Sequence, residues 1–302
     1  MRGWRQLARV GLLVVLLAGS RPGLAAPSDS RMAAAAASIE SAIAQRHADA
    51  AVGFEMLDGS SSWLLHGDES FHAASTMKVP VLIELFRQAR AGRLRFQDPL
   101  LIRNEFPSLI DGSPYHLDAD EDSEADLYRA VGGSRTLAQL SELMITVSSN
   151  LATNLLIERL GIANIQGGVH ALGADGMQVL RGVEDSKAFQ QGLNNTTTAR
   201  ALLTLMTAIA AGQAVDAESS RAMVAILERQ TFNDGIPAGL PAGTRVAHKT
   251  GEITKTQHDA AIVYAPKPFV LVILTRGIAD PKESAALIAD ITRQLYVASQ
   301  PP

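Results

Sequence analysis

Ser75-Thr76-Met77-Lys78 sets a hydroxyl and an amine three residues apart in an apolar, helix-favouring stretch. Residues at i and i+3 share a helix face, so a helical turn would bring the Lys78 amine within hydrogen-bonding reach of the Ser75 hydroxyl. That pairing is a nucleophile beside a base. A serine at a helix N-terminus also meets unpaired backbone N–H groups and the positive end of the helix dipole, both of which stabilise negative charge on oxygen. The spacing alone is weak, because a chain of ordinary composition contains such a match about once by chance. Two further groups strengthen it. Ser148-Ser149-Asn150 stands just before a helical pattern that starts at Leu151, and Lys249-Thr250-Gly251 closes a strand-like run. Singly these read as a helix cap and a strand entering a turn. Together, in this order, at domain-scale separations and each at an element edge, they are much less expected by chance.

Composition narrows the chemistry. The 302 residues contain no cysteine, so disulfides and thiol nucleophiles are excluded and covalent catalysis must use oxygen or nitrogen. Arg2, Arg5 and Arg9, the apolar run Gly11 to Ala18 and the small residues of Gly23-Leu24-Ala25-Ala26 form an export-signal pattern over 1–26. That run is much shorter than the ~20 residues a membrane span needs, so removal of the signal and no stable membrane insertion afterwards are expected. Cleavage would take four of the 27 basic residues and none of the 31 acids, leaving a formal charge of −8. Nucleic acid is therefore not an expected partner. The 47% apolar content is enough for a core without disulfides.

Several elements must position the three motifs. An alanine-rich helix is expected over 31–47. Val52, Phe54 and Met56 alternate as a strand, and Asp58-Gly59-Ser60-Ser61 turns the chain into a second strand at Trp63 to His66. The Ser75 helix runs to about Gly92, and Pro80, tolerated only in a first turn, places its start near Ser75. Residues 93–212 read as largely helical, with clear periods at Thr136 to Val147, Leu151 to Leu160 and Thr197 to Ala211. Within them, Asp111 to Gly133 is an acidic stretch. Asp118, Asp120 and Asp122 have the opening of a calcium loop, but Ser123 and Arg129 stand where that loop needs glycine and glutamate, so a solvated loop is expected and no metal. Strands return at Thr244 to Thr250, Asp259 to Tyr264 and Phe269 to Thr275, followed by a helix from Pro281 to about Val297. The expectation is an α/β (α+β) fold: a five-stranded antiparallel sheet (31–73 and 213–302) flanked by terminal helices, interrupted by an all-helical domain (74–212), with a site in the seam.

The three motifs, with the wider runs Ser148-Ser149-Asn150-Leu151-Ala152-Thr153-Asn154-Leu155-Leu156 and His248-Lys249-Thr250-Gly251, resemble the class A β-lactamase family of penicillin-recognising serine hydrolases. The resemblance spans about residues 31 to 298. It implies that Ser75 is acylated, that Lys78 is its proton partner and that Ser148 relays a proton to the leaving nitrogen. Asn150 would hold the substrate amide, and Lys249 and Thr250, with Gly251 closing the motif, would bind the substrate carboxylate. The oxyanion hole would be the N–H groups of Ser75 and Glu252. Lys249 is expected to help depress the Lys78 pKa while remaining a cation itself. Glu184, in Arg181-Gly182-Val183-Glu184-Asp185-Ser186-Lys187-Ala188, matches the deacylating glutamate, its ordinary alternative being a solvated loop acid.

The chain departs from the family pattern in places. Ser149 replaces an aspartate, and Ala188 replaces a water-holding asparagine, for which Asn194, Gln190 or Gln191 are candidate substitutes. Asn195 replaces the aspartate that pairs with the loop arginine, here Arg181. Asp259 falls where many relatives carry a carboxylate-binding arginine, leaving Lys255 or His258 as alternatives. The resemblance implies an exported, periplasmic or secreted monomer that acts on a small β-lactam-like amide without a cofactor. The rival activities are a D,D-peptidase or esterase on the same scaffold, and a sensor that is acylated without turnover.

Overall fold

The computed structural model describes residues 27–301, so the export-signal reading of residues 1–26 lies outside the described residues. A helix (α1, Pro27–Gln45) leads into strands β1 (Asp49–Met56) and β2 (Ser62–Leu65), and strands β3 (Arg245–Ile253), β4 (Thr256–Tyr264) and β5 (Phe269–Arg276) return near the end. They form one antiparallel sheet in the order β2-β1-β5-β4-β3, with β3 at one edge. β1 pairs Phe54 with Leu271 of β5, and β4 pairs Ala260 with Lys249 of β3. First and last segments thus share a sheet, and the chain between them is an excursion. This is the five-stranded sheet with flanking terminal helices that the sequence pattern predicts.

Both faces of the sheet are covered, which is why its central strands are apolar almost throughout. Val52, Phe54 and Met56 of β1 and Phe269, Leu271 and Ile273 of β5 face Ile39 and Ile43 of α1 and Leu287, Ile291 and Leu295 of the C-terminal helix Pro281–Ser299. The alternate residues Ala51, Val270, Val272 and Leu274 face the helical part of the chain, including Leu202 and Leu203 of the helix Ala199–Ala210. Gly53 lets that helix come close: a Cβ there would stand 3.1 Å from the Ala199 carbonyl and 3.3 Å from Leu203.

Three pieces of the helical part frame the site. A 3₁₀ turn at Ala74–Met77 runs directly into α2 (Lys78–Arg90). Helix α3 (Leu137–Thr146) opens on a capping box between Thr136 and Gln139, and α4 (Asn150–Leu160) begins at the Ser149 cap. Ser75 therefore sits in the 3₁₀ turn rather than at the first residue of the α-helix, and Pro80 falls in the first turn of α2, where its missing N–H costs little. The acidic stretch is not wholly a solvated loop: it holds a short helix, Ala125–Arg129, and Asp122 is buried. Among the described residues no helix is long and apolar enough to cross a membrane.

A second 3₁₀ turn, Ile236–Gly239, packs against the C-terminal helix through a glycine contact. A Cβ on Gly239 would lie 2.3 Å from the Ala289 carbonyl and 2.6 Å from Thr292 Cβ. Gly239→Ala must push the turn off the helix and should cost about 1–3 kcal/mol, the usual range for overpacking. Urea unfolding reads this as a lowered midpoint at unchanged slope. Covalent labelling at the distant cleft should be unaffected.

Candidate active site

The 3₁₀ turn that carries Ser75 is fixed from several sides. Ala73 N donates to Asn195 O at 2.8 Å, Ala74 N to His72 Nδ1 at 3.0 Å and Thr76 Oγ1 to Ala73 O at 2.6 Å. Edge strand β3 runs against it, and Gly251 makes this possible, since a Cβ there would be 3.0 Å from the backbone nitrogens of both Ser75 and Thr76. The Ser75 hydroxyl itself makes no hydrogen bond to the described residues and lines a cavity of about 160 Å³ with Ser148, Asn150, Thr250, Gly251 and Glu252.

Lys78 does not reach back to Ser75 as its spacing predicts. It is fully buried, and its Nζ donates to Ser148 O (2.6 Å), Ser148 Oγ (3.1 Å) and Asn150 Oδ1 (2.8 Å). Contacts to Ser148 and Asn150 at the start of α4 take the place of the i,i+3 pairing. Burial lowers its pKa from 10.5 to about 7, against the opposing pull of Asp122 and Glu184. Lys249 is expected from the sequence only to help in this; desolvation is the cause that lowers the Lys78 pKa.

Lys249 is also fully buried and donates to Ser148 Oγ (3.0 Å) and Thr250 O (2.8 Å). Burial first, then the Lys78 charge, push its pKa well down, while Asp259 opposes them. Burial and the neighbouring amine therefore disfavour the fixed cation that the sequence suggests, and the two amines compete for charge. Ser148 Oγ lies between them. With both amines donating to it, its own O–H points into the cleft; when Lys78 is neutral the amine lone pair can accept that O–H instead, which frees Oγ to take a proton from the cleft. Ser148 holds a left-handed backbone, φ +60°, unusual for a non-glycine residue and a mark of functional strain.

The 148–150 motif is at once a cap and a site. Ser149 Oγ accepts from Ala152 N (3.2 Å), capping α4, while Ser148 and Asn150 on either side face the cleft. Asn150 links the lysine to an acid: its Oδ1 accepts from Lys78 and its Nδ2 donates to Glu184 Oε1 at 2.7 Å.

Glu184, at φ +63°, is half-buried, and burial raises its pKa. Its loop is pinned by Asn154, which accepts from Val183 N (2.7 Å) and donates to Val183 O (3.0 Å) and Tyr115 Oη (3.2 Å). Arg181 makes no ion pair among the described residues; its guanidinium donates to Leu193 O, Gly182 O and Asn194 Oδ1, while Asn195 Oδ1 accepts from the backbone of Leu180 and Arg181. The lost aspartate is thus replaced by neutral acceptors. Asn194 is committed to Arg181, and Gln190 and Gln191 are exposed. Asp185 is buried and tied to Ser108 Oγ, Leu109 N and Ala188 N.

Asp259 does not face the cleft. Its carboxylate lies on the terminal-helix side of the sheet, accepting from His248 Nδ1 (3.0 Å) and Ile236 N (2.9 Å). Neither substitute supplies a buried cation: Lys255 is exposed at the β3–β4 turn, and burial takes the His258 pKa to about 4 with its Nε2 against His72 O. Sequence reasoning missed Asn154, Tyr115 and Asp122. Asn154 lay inside a motif already singled out, but Tyr115 and Asp122 carried no local signal. A second cavity of about 560 Å³ adjoins the first, lined by Ser75, Asn150, Val183, Glu184, Phe189 and Ile253 among others.

Such a sheet with a helical layer and a serine–lysine cleft at its edge defines the penicillin-recognising class of serine hydrolase. The model of the β-lactamase enzyme family matches residues 34–298, and the chain belongs to that family. It is 32% identical to a β-lactamase of Bacillus licheniformis over 54% of this chain, and spans about half (55%) of that relative. The structure of a β-lactamase from Sphaerobacter thermophilus is 26% identical with a TM-score of 0.76, covering 89% of this chain and 99% of its own. A mutant of PBP-A, solved as its acyl-enzyme complex with penicillin G, is 30% identical with a TM-score of 0.75, covering 88% and 96%.

If the neutral Lys78 amine takes the proton of Ser75, acylation must follow its deprotonation. The depressed pKa makes the amine neutral above about pH 7, so the labelling rate should climb with pH through that value. Lys78→Arg, whose guanidinium keeps its proton, should label about 10²–10⁴-fold more slowly across the range. Stopped-flow or mass-spectrometric labelling at several pH values measures both.

Proposed function

We propose that this chain is an exported serine hydrolase that opens the β-lactam amide through an acyl-enzyme at Ser75. The observation that carries the reading is Ser148 Oγ held between two buried lysines beside an unpartnered Ser75 hydroxyl in one cavity. Lys78 Nζ takes the Ser75 proton, relayed through Ser148, as Oγ bonds to the amide carbonyl carbon. The oxyanion is met by the N–H groups of Ser75 and Glu252. Ser148 then passes its proton to the leaving nitrogen as the C–N bond breaks, and regains one from the lysine. Thr250 and Lys249 hold the substrate carboxylate, whose charge offsets the cost of protonating buried Lys249. Water, deprotonated by Glu184, attacks the ester carbonyl; the bond between that carbon and Ser75 Oγ breaks, Oγ takes back the proton held by Glu184, and the acid is released. Export rests on residues 1–26, and the monomeric state on family resemblance.

One observation favours slow turnover as a second reading. Buried Ala188 offers no amide where the family pattern holds a water, and Asn194 is spoken for. The PBP-A mutant, solved as its acyl-enzyme complex with penicillin G, supports acylation as the step to follow.

Intact-mass spectrometry after adding a penicillin tests both readings. Wild type should gain the penicillin mass and then lose it. Ser75→Ala should never gain it, and persistent labelling of that variant would reassign the nucleophile. Glu184→Gln should gain the mass and keep it, with clearance slowed about 10²–10⁴-fold. Clearance at the wild-type rate would make Glu184 a loop residue. A second measurement addresses the carboxylate: Lys249→Ala should slow acylation more for free-acid substrates than for their esters. Equal losses would remove that role.

A further inference from the structure

Asp122 belongs by sequence to an acidic loop, yet in the fold it is 8% exposed. Its Oδ2 accepts from Asn150 N (2.9 Å), Leu151 N (2.9 Å), Ser149 Oγ (3.3 Å) and Tyr128 Oη (2.9 Å), and its Oδ1 from Glu124 N (3.2 Å). One oxygen with four donors is far more than a turn requires, and three of the four come from the start of α4. The residue between Ser148 and Asn150 is a serine, with no carboxylate of its own.

We infer that Asp122 is a positioning residue that supplies, from an upstream loop, the carboxylate missing at Ser149, and so holds Ser148 and Asn150 in register with Lys78. Satisfying the first N–H groups of α4 fixes where the helix begins, and with it the strained Ser148 and the Asn150 amide that contact Lys78 Nζ. Its negative charge also acts on the buried amine. The charges that bear on Lys78 are Asp122 from this loop and Glu184 from the 181–188 loop, both favouring its protonated form, while Lys249 on β3 is itself pushed down by the Lys78 charge and raised by Asp259. The role in catalysis rests on the proposed acyl-enzyme chemistry, whereas the effect on Lys78 does not.

The test uses Asp122→Asn, Ser149→Asp and the double variant. The Lys78 titration is followed by NMR with labelled lysine and no substrate, and penicillin labelling is timed in parallel. Asp122→Asn should move the Lys78 midpoint to lower pH and slow labelling about ten- to a hundredfold, the scale of a lost charged hydrogen-bond set. Ser149→Asp alone should also slow labelling, because it sets a second carboxylate against Asp122. Combined, the two substitutions should restore both the midpoint and most of the rate, a reciprocal rescue that a purely structural cap would not give. If Asp122→Asn does not fold, a folded double variant with a wild-type midpoint supports the relocation. A double variant no better than Asp122→Asn overturns it, as does an Asp122→Asn midpoint and rate equal to wild type. Absence of penicillin labelling in wild type would sink the proposed function, yet leave the Lys78 titration to decide the place of Asp122.

Discussion

Two lysines are buried around one serine hydroxyl, and this costs free energy that the surrounding structure must offset. A buried ammonium loses its hydration, so it sheds its proton or acquires partners. Lys78 and Lys249 are both wholly enclosed, and both are driven toward the neutral amine. Their partners are Ser148, Asn150 and a carbonyl each, with carboxylates at Asp122, Glu184 and Asp259 favouring the charge. These groups come from widely separated segments, so the lysines can exist in this state only when the helical layer is docked on the sheet edge. An amine half-neutral near pH 7 is therefore a product of the whole fold.

Two of the six non-glycine residues with positive φ among the described residues, both used by the proposed chemistry, lie at this docked seam. Ser148 and Glu184 adopt left-handed conformations that cost a non-glycine residue of order 1 kcal/mol or more, and both are held by contacts on either side. Glu184 is carried by a loop whose neighbour Val183 is gripped at both N–H and C=O by Asn154. Where elements approach too closely for any side chain, glycine appears: Gly251 against the Ser75 turn, and Gly182 with Asn154 and Tyr115 Oη both 2.8 Å from where its Cβ would be. Charge is handled with similar economy. Arg181, deprived of an aspartate, is met by carbonyl and amide oxygens, and its burial weakens its hold on the proton.

Much was legible in the chain alone, for reasons of local physics. Strand alternation at Val52, Phe54 and Met56, the helical period of α3, the capping signal before α4 and the apolar runs of β4 and β5 report interactions between residues near in sequence, and these elements fall within a few residues of their predicted bounds. The order of Ser75-x-x-Lys78, Ser148-x-Asn150 and Lys249-Thr250-Gly251 was enough to identify the family, while two strands near the start and three near the end gave the five-stranded sheet. Side-chain direction was a different matter. The i,i+3 rule pointed Lys78 at Ser75, but its contacts lie 70 and 72 residues away in Ser148 and Asn150. By resemblance Asp259 falls where relatives carry a carboxylate-binding arginine, whereas its carboxylate lies on the terminal-helix face of the sheet and accepts from Ile236 N. Asp122 read as one solvated acid among several, because its donors in α4 are distant in the chain. Composition and periodicity determine which elements form and which residue types are available; only packing decides which of those residues lose water, and loss of water sets the charge and direction of the lysines and acids of this site.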